Sequence, residues 1–259
     1  MASYKRIFGA VALFVNCSYA LAYEDWMTAS NYTKVISVSG GVAFTSAGKT
    51  QNLYLVKTEN TPEQRQISVR NTYQADEKNS TLGTGEVFLA LQWPFNEYLL
   101  TQLGIAFGGA GEVDLQGKIA SNGVPTGSRY EYKVSHGMVG ARGKLITAAT
   151  YAYVQPYITG LIGAGFNHVH GYHTIPQVDT ELAPLWFEDN TNSFVFTYAL
   201  GAGAQKMINP NWNVGLGYEF TAWGKSDLGD AASSMWTGSG PRLSNIYTHS
   251  ILLAITYLC

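Results

Sequence analysis

A chain of 259 residues has room for one large domain or two small ones. Only 13% of its residues are charged, against about a quarter in a typical globular chain, while 13% are aromatic, with 17 Tyr and 28 Gly. The net charge of −2 excludes the basic footprint of a nucleic-acid binder, and no run reaches the ~18 apolar residues of a membrane-crossing helix.

The N-terminus has the build of a secretory signal. Lys5 and Arg6 form a basic start, Ile7 to Val15 a short apolar core, and Ala20-Leu21-Ala22 a small-x-small cleavage site. Residues 1–22 are therefore expected to be removed, leaving 23–259 as one domain. Cys17 leaves with the signal, so Cys259 has no internal disulfide partner.

From residue 33 onward the dominant signal is alternation at period two, the mark of strands with two unlike faces. The first strand, 33–45, sets Ile36, Val38, Val42 and Phe44 against Ser37, Ser39, Gly41 and Ala43. A polar excursion, 46–83, reads as a long loop. The second strand, 84–95, sets Val87, Leu89, Leu91, Trp93 and Phe95 against Glu86, Phe88, Ala90 and Gln92. A minimal turn, Asn96-Glu97, leads to the third, 98–109, with Leu99, Leu103, Ile105 and Phe107 opposite Gln102, Gly104, Ala106 and Gly108. A second loop, 110–128, carries Asn-Gly and Pro-Thr-Gly turn signals. In the fourth strand, 129–145, the charges change parity, Glu131 and Lys133 against Arg142 and Lys144. That predicts a bulge near Ser135 to Gly137, with Val139 and Ala141 outward and Arg142 inward.

The fifth strand, 151–166, aligns Val154, Ile158, Ile162 and Phe166 on one face. A third loop, 167–192, holds His168, His170 and His173 together with Glu181, Glu188 and Asp189. The sixth strand, 193–206, turns at Asn209-Pro210-Asn211 into the seventh, 212–222. There Trp212, Val214, Leu216, Tyr218 and Phe220 oppose Asn213, Gly215, Gly217, Glu219 and Thr221. A fourth loop, 223–245, returns to the closing segment, 246–259, whose apolar parity is Ile251, Leu253, Ile255 and Tyr257.

Eight strands are thus joined by long and short connections in strict alternation, and most have the roughly 9 to 11 residues a tilted membrane strand needs. The fold expected is an all-β, eight-stranded antiparallel up-and-down transmembrane β-barrel. Its four long loops are extracellular and its three short turns periplasmic, the layout of the Gram-negative outer membrane. A soluble lipocalin-type barrel is the alternative, with large residues inside and polar ones outside. The face with Gly, Ala, Thr, Gln and Glu is too small and polar to line a dry ligand cup. Aromatic residues cluster at strand ends as two girdles, Trp93, Phe95, Tyr98, Tyr151, Tyr153, Trp212 and Tyr257 beside the turns, and Phe44, Phe107, Tyr130, Tyr132, Phe166, Phe194 and Tyr247 beside the loops.

The pattern resembles the small outer-membrane barrels of the OmpA/OmpX and opacity-protein type. Asn209 to Phe220, N-P-N-W-N-V-G-L-G-Y-E-F, is similar to the seventh-strand signature of that superfamily, followed by W-G-K at 223–225. The closing strand resembles the family's recognition signal for the barrel-assembly machinery, carried on Ile251, Leu253, Ile255 and Tyr257; Cys259 stands where the family usually ends in an aromatic. Such barrels serve as adhesins, evasion factors, narrow channels and passive anchors. Expected partners are outer-membrane lipid and lipopolysaccharide, the assembly machinery, and host surface molecules reached through loops 46–83, 110–128, 167–192 and 223–245.

Inward Glu86, Gln92, Gln102, Arg142, Gln205 and Glu219 read first as a polar plug and second as the lining of a gated solute path. Glu86 and Glu219 are expected in the upper half and Arg142 in the lower, which leaves a direct Glu–Arg bond open. The spacing His168-x-His170-x-x-His173 is compatible with a zinc or copper site, but no Cys or well-spaced carboxylate completes a shell, so a polar surface loop is expected and no cofactor. His249 and Ser250 are adjacent on a strand, face opposite ways and cannot pair, so an enzyme acting on lipid A or phospholipid is the weakest reading. Two functions remain: a surface anchor presenting its loops for adhesion or envelope contact, and a narrow channel for small solutes.

Overall fold

The structure, a computed structural model, describes residues 32–45, 47–59, 62–76, 79–148, 154–175, 186–233 and 235–259, Ser193 by its backbone alone. The expected signal segment, residues 23–31, Tyr151, Tyr153 and Glu181 lie outside the described residues. The strands are β1 (Thr33–Thr45), β2 (Gln51–Thr58), β3 (Gln66–Ala75), β4 (Ser80–Asn96), β5 (Leu99–Ser121), β6 (Val124–Thr147), β7 (Val154–Ile175), β8 (Asn190–Asn209), β9 (Trp212–Ala222), β10 (Ser226–Asp227), β11 (Trp236–Thr237), β12 (Arg242–Leu243) and β13 (Tyr247–Leu258).

Among the described residues, eight of these strands close a ring in the order β1, β4, β5, β6, β7, β8, β9, β13, each pair antiparallel and β13 returning to β1. Closure leaves no sheet edge around the wall, so its backbone groups pair with neighbouring strands except at the bulges and prolines. Following paired residues from Phe44 leads through His249, Phe220, Leu200, Gly160, Gly143, Leu103 and Leu91 to Lys34, ten residues earlier on β1. A stagger of ten over eight strands, with a rise of ~3.3 Å and a strand spacing of ~4.8 Å, tilts the strands by about 40°.

The two faces separate as the alternation predicts. Leu253 is 55% exposed, Leu216 59%, Ile162 63% and Leu103 53%, whereas Ala106, Ala199, Thr197 and Gln102 are sealed inside. A water-soluble wall would not leave such a continuous apolar surface uncovered. On β13 the rings of Tyr257 and Tyr247 stand ten residues apart. At the tilt above, each residue climbs about 2.5 Å, so the rings bracket a belt of about 25 Å, the height of a lipid-facing barrel band.

The structure corrects the reading of the four long loops, which are not loops in the main. The segment 46–83 contains the β2–β3 hairpin, with Leu53 opposite Asn71 and Leu55 opposite Val69. The segment 110–128 is the far end of β5 and β6, joined by a two-residue turn at Asn122-Gly123 with φ of 50° and 83°, the left-handed pair of a type I′ hairpin. In 167–192, β7 runs on to Ile175 and β8 starts at Asn190. The segment 223–245 folds back into the barrel mouth, where β10 pairs β12 and β11 pairs β2. Above the belt the outer face meets water, so polar residues sit there and the hydropathy contrast that marks a membrane strand fades.

The expected bulge in the fourth barrel strand is also corrected. Even-numbered residues of β6 point inward from Tyr130 to Ile146 with no change of parity. The irregularities flanking that stretch lie in its neighbours, at Gly111-Glu112 of β5 and Gly171-Tyr172 of β7, while β6 itself carries extra residues only near its start, at 126–128. Glu131 and Lys133 do face outward, but above the belt, where water solvates them. Tyr130 and Tyr132 are not girdle residues; they are 3% and 4% exposed inside the upper barrel.

Replacing Leu200, 61% exposed on the belt, by Arg is expected to cost about 2–4 kcal/mol in lipid vesicles, since a cation at the bilayer midplane loses hydration. The same change at Val124, 67% exposed at a hairpin tip, leaves the urea midpoint unchanged. Equal effects at the two positions would contradict the placement of the belt.

Candidate functional site

The lumen is narrow enough for side chains from opposite walls to meet. Arg142 rises from β6 and forks between two carboxylates. Its Nη2 donates to Glu86 Oε2 on β4 at 2.6 Å, and its Nη1 donates to Glu219 Oε2 on β9 at 2.6 Å and to Thr159 Oγ1 at 3.2 Å. All three charged side chains are nearly sealed, with exposures of 7%, 11% and 8% for Arg142, Glu86 and Glu219. The bond left open by the sequence therefore forms twice. The guanidinium suits the job because its flat fork serves two acceptors at once without losing charge.

The remaining polar residues make a second layer on the side of the short turns. Lys144 Nζ donates to Gln205 Oε1 at 2.6 Å and sits 3.9 Å from the centre of the Tyr157 ring. Gln205 Nε2 donates onward to Gln155 Oε1 at 3.3 Å, and Gln102 Nε2 donates to Gln92 Oε1 at 2.8 Å. Tyr157 lies across β8 and β9, where a Cβ at Gly203 or Gly217 would fall within 2.6 or 2.4 Å of it. Those glycines are the space its ring occupies. Sequence reading missed Lys144, Tyr157 and Gln155 as members, although all three have inward parity. Arg142 thus joins Glu86 and Glu219, while Gln92 pairs with Gln102 and Gln205 bonds Lys144 and Gln155.

The upper half is closed by apolar packing. Leu55, Val69, Tyr73, Val113, Leu115, Ile119, Tyr130, Tyr132, Tyr172, Phe187, Trp223, Leu228, Trp236, Leu243 and Ile246 form one buried cluster, drawn from all four former loops. Ring contacts run through it, Tyr73 to Tyr130 at 5.2 Å and Tyr172 to Phe187 at 4.8 Å. Asn167 pins the fourth connection inside. Its Nδ2 donates to Trp223 O at 3.0 Å and Lys225 O at 2.7 Å, and Trp223 Nε1 donates to Thr248 Oγ1 at 3.2 Å. Burial pushes the phenols of Tyr73, Tyr130 and Tyr132 well above their ordinary value, and that of Tyr172 up to about 12.

His168, His170 and His173 lie on the outer side of β7, above the belt. His168 and His170 stack at 4.7 Å, His170 Nε2 lies 3.3 Å from Glu112, and His173 Nε2 lies 3.9 Å from Glu131. The bulge at Gly171-Tyr172 separates His173 from the other two, and among the described residues no group of three metal-ligating side chains gathers. Lys133 joins the same ladder, 2.9 Å from Glu112, so the arrangement is a wall of cross-strand polar contacts. His249 faces outward and bonds the Tyr218 hydroxyl at 2.6 Å, while Ser250 is buried inward at 4% exposure. The closing-strand residues Ile251, Leu253 and Ile255 stand outward, about half exposed, with Tyr257 against Trp212 at 4.9 Å.

No protein-family model and no curated protein matches the chain. Solved structures give distant likenesses. Neisserial surface protein A has 10% identity and a TM-score of 0.41, covering 88% of this chain and 97% of its own. The outer membrane protein OprG of Pseudomonas aeruginosa has 11% identity and a TM-score of 0.44, covering 89% and 98%. The outer membrane protease OmpT of Escherichia coli has 8% identity and a TM-score of 0.44, covering 88% and 97%.

Arg142→Met is expected to lower stability in lipid by about 3–5 kcal/mol, because two carboxylates lose their shared partner. Adding Glu86→Gln and Glu219→Gln to that variant should restore most of the loss, measured as urea midpoints; no recovery would mean that the three residues do not act as a unit. The upper cluster gives a separate test. Because burial raises its phenol pKa values, the folded form binds the proton more tightly than the unfolded one. Stability from these groups is full below pH 10 and declines as pH rises toward their folded values. Ultraviolet titration at pH 11 should leave Tyr73, Tyr130, Tyr132 and Tyr172 protonated; full phenolate signal from an intact barrel would contradict the packing.

Proposed function

We propose that this protein is a Gram-negative outer-membrane surface protein whose plugged barrel carries a folded extracellular platform for adhesion or envelope contact. The observation that carries the reading is double closure of the lumen. Arg142, Glu86 and Glu219 bridge the walls near mid-depth, and the apolar cluster seals the upper half. The internal cavity between them is about 20 Å³. A solute path would need a connected aqueous lumen, as in larger barrels.

The apolar belt supports insertion into the bilayer, and outward Ile251, Leu253, Ile255 and Tyr257 support recognition of the closing strand by the assembly machinery. Lipid and lipopolysaccharide would surround the belt. The β2–β3 hairpin and the upper ends of β5 to β8 form the part that meets other molecules. They are paired strands, and a preformed surface binds without first paying to order itself. Tyr54, 71% exposed on the outer side of that hairpin with Arg70 opposite it, is the aromatic a partner would first meet.

Purified protein in planar bilayers should show no steady open level, whereas a stable conductance would favour the channel reading. Replacing residues 51–75 by a short Gly-Ser turn should leave a folded, membrane-inserted barrel and abolish retention of expressing bacteria on host-cell layers. Unchanged retention would remove the adhesive role.

A further inference from the structure

Between the charge bridge and the apolar seal lies the 20 Å³ cavity, lined among others by Ser39, Glu86, His136, Glu219, Thr221 and Ser250. His136 is 7% exposed, and its ring lies flat on Trp223, with centroids 4.8 Å apart and planes 8° from parallel. Its Nδ1 is 2.6 Å from Asn167 Oδ1. The amide orientation is fixed, because Asn167 Nδ2 donates to two backbone carbonyls. Oδ1 is therefore the acceptor, Nδ1 carries the proton, and neutral His136 presents a lone pair at Nε2. Nε2 is buried and has no hydrogen-bond partner among the described residues.

We propose that the cavity is a hydration site holding one ordered water that donates a hydrogen bond to His136 Nε2. The cavity exceeds the about 10–15 Å³ that one water needs. The hydroxyl-bearing Ser39, Thr221 and Ser250 and the carboxylates Glu86 and Glu219 also line the cavity, so a water has both acceptors and donors beside it. Other guests fit worse. A cation would compete with Arg142, which already serves both carboxylates; an anion would face the carboxylates; an apolar group would leave the polar lining unpaired. The water joins the seal to the bridge through His136 and Asn167 and makes the two closures one network.

The test uses full-length protein in lipid nanodiscs with ¹⁵N-labelled histidine. Expected are the Nδ1–H tautomer for His136 and a long-lived water cross-peak at its ring protons. Ser250→Val, which narrows the cavity, should abolish that cross-peak while the barrel amide spectrum and the His136 ring signals persist. An Nε2–H tautomer, or no water cross-peak in the folded wild type, overturns the proposal. So does an anomalous peak in the cavity of rubidium-soaked crystals, which would make the guest a cation.

Discussion

A backbone surrounded by hydrocarbon has nowhere to place its polar groups except on itself, and that constraint sets everything else in this protein. Closing eight strands with a stagger of ten satisfies it and fixes the tilt and the radius together. The radius in turn limits the interior. At belt depth the inner face is therefore rich in glycine, alanine, serine and threonine, which make room for a few large side chains such as Phe88, Leu161 and Tyr157 and for the long polar ones that reach across.

Those few long side chains then carry the chemistry. Arg142 sits slightly below the level of Glu86 and Glu219 and reaches up between them, which is why a reading of heights alone left the bond open. A guanidinium shared by two carboxylates satisfies charges that would be expensive to bury singly. Lys144 lies below it on Gln205 and Tyr157, so two basic and two acidic side chains share the narrow lumen. Above them the interior switches from polar to apolar at His136 and Trp223, the point where the wall leaves the belt.

The membrane-facing half could be read from the chain almost residue by residue. Thr33–Thr45 and Trp212–Ala222 match their predicted spans, because lipid on one side and a crowded lumen on the other give the strongest contrast in the sequence. Above the belt that contrast disappears. Leu53, Leu55, Val69 and Tyr73 still alternate, but against Tyr54, Arg70 and Thr72, which water tolerates, so the β2–β3 hairpin passed for a polar loop. Asn122-Gly123 was seen as a turn and not as the tip of two long strands. The parity change at Glu131 and Lys133 had the same origin: outward charges belong there once the strand has left the bilayer. The six inward residues were found by parity, whereas their partners depended on the stagger, which no single strand reveals.

The account stands on which side of the wall meets lipid, and spin labels on β9 read that directly. With Cys259 removed, nitroxides placed singly from Asn213 to Phe220 should be relaxed by oxygen, which concentrates in hydrocarbon, at 214, 216, 218 and 220. At 213, 215, 217 and 219 they should be shielded from both oxygen and a water-soluble nickel complex. The opposite phase, or strong nickel access at the odd positions, would mean a water-filled or inverted barrel and would contradict the structure described.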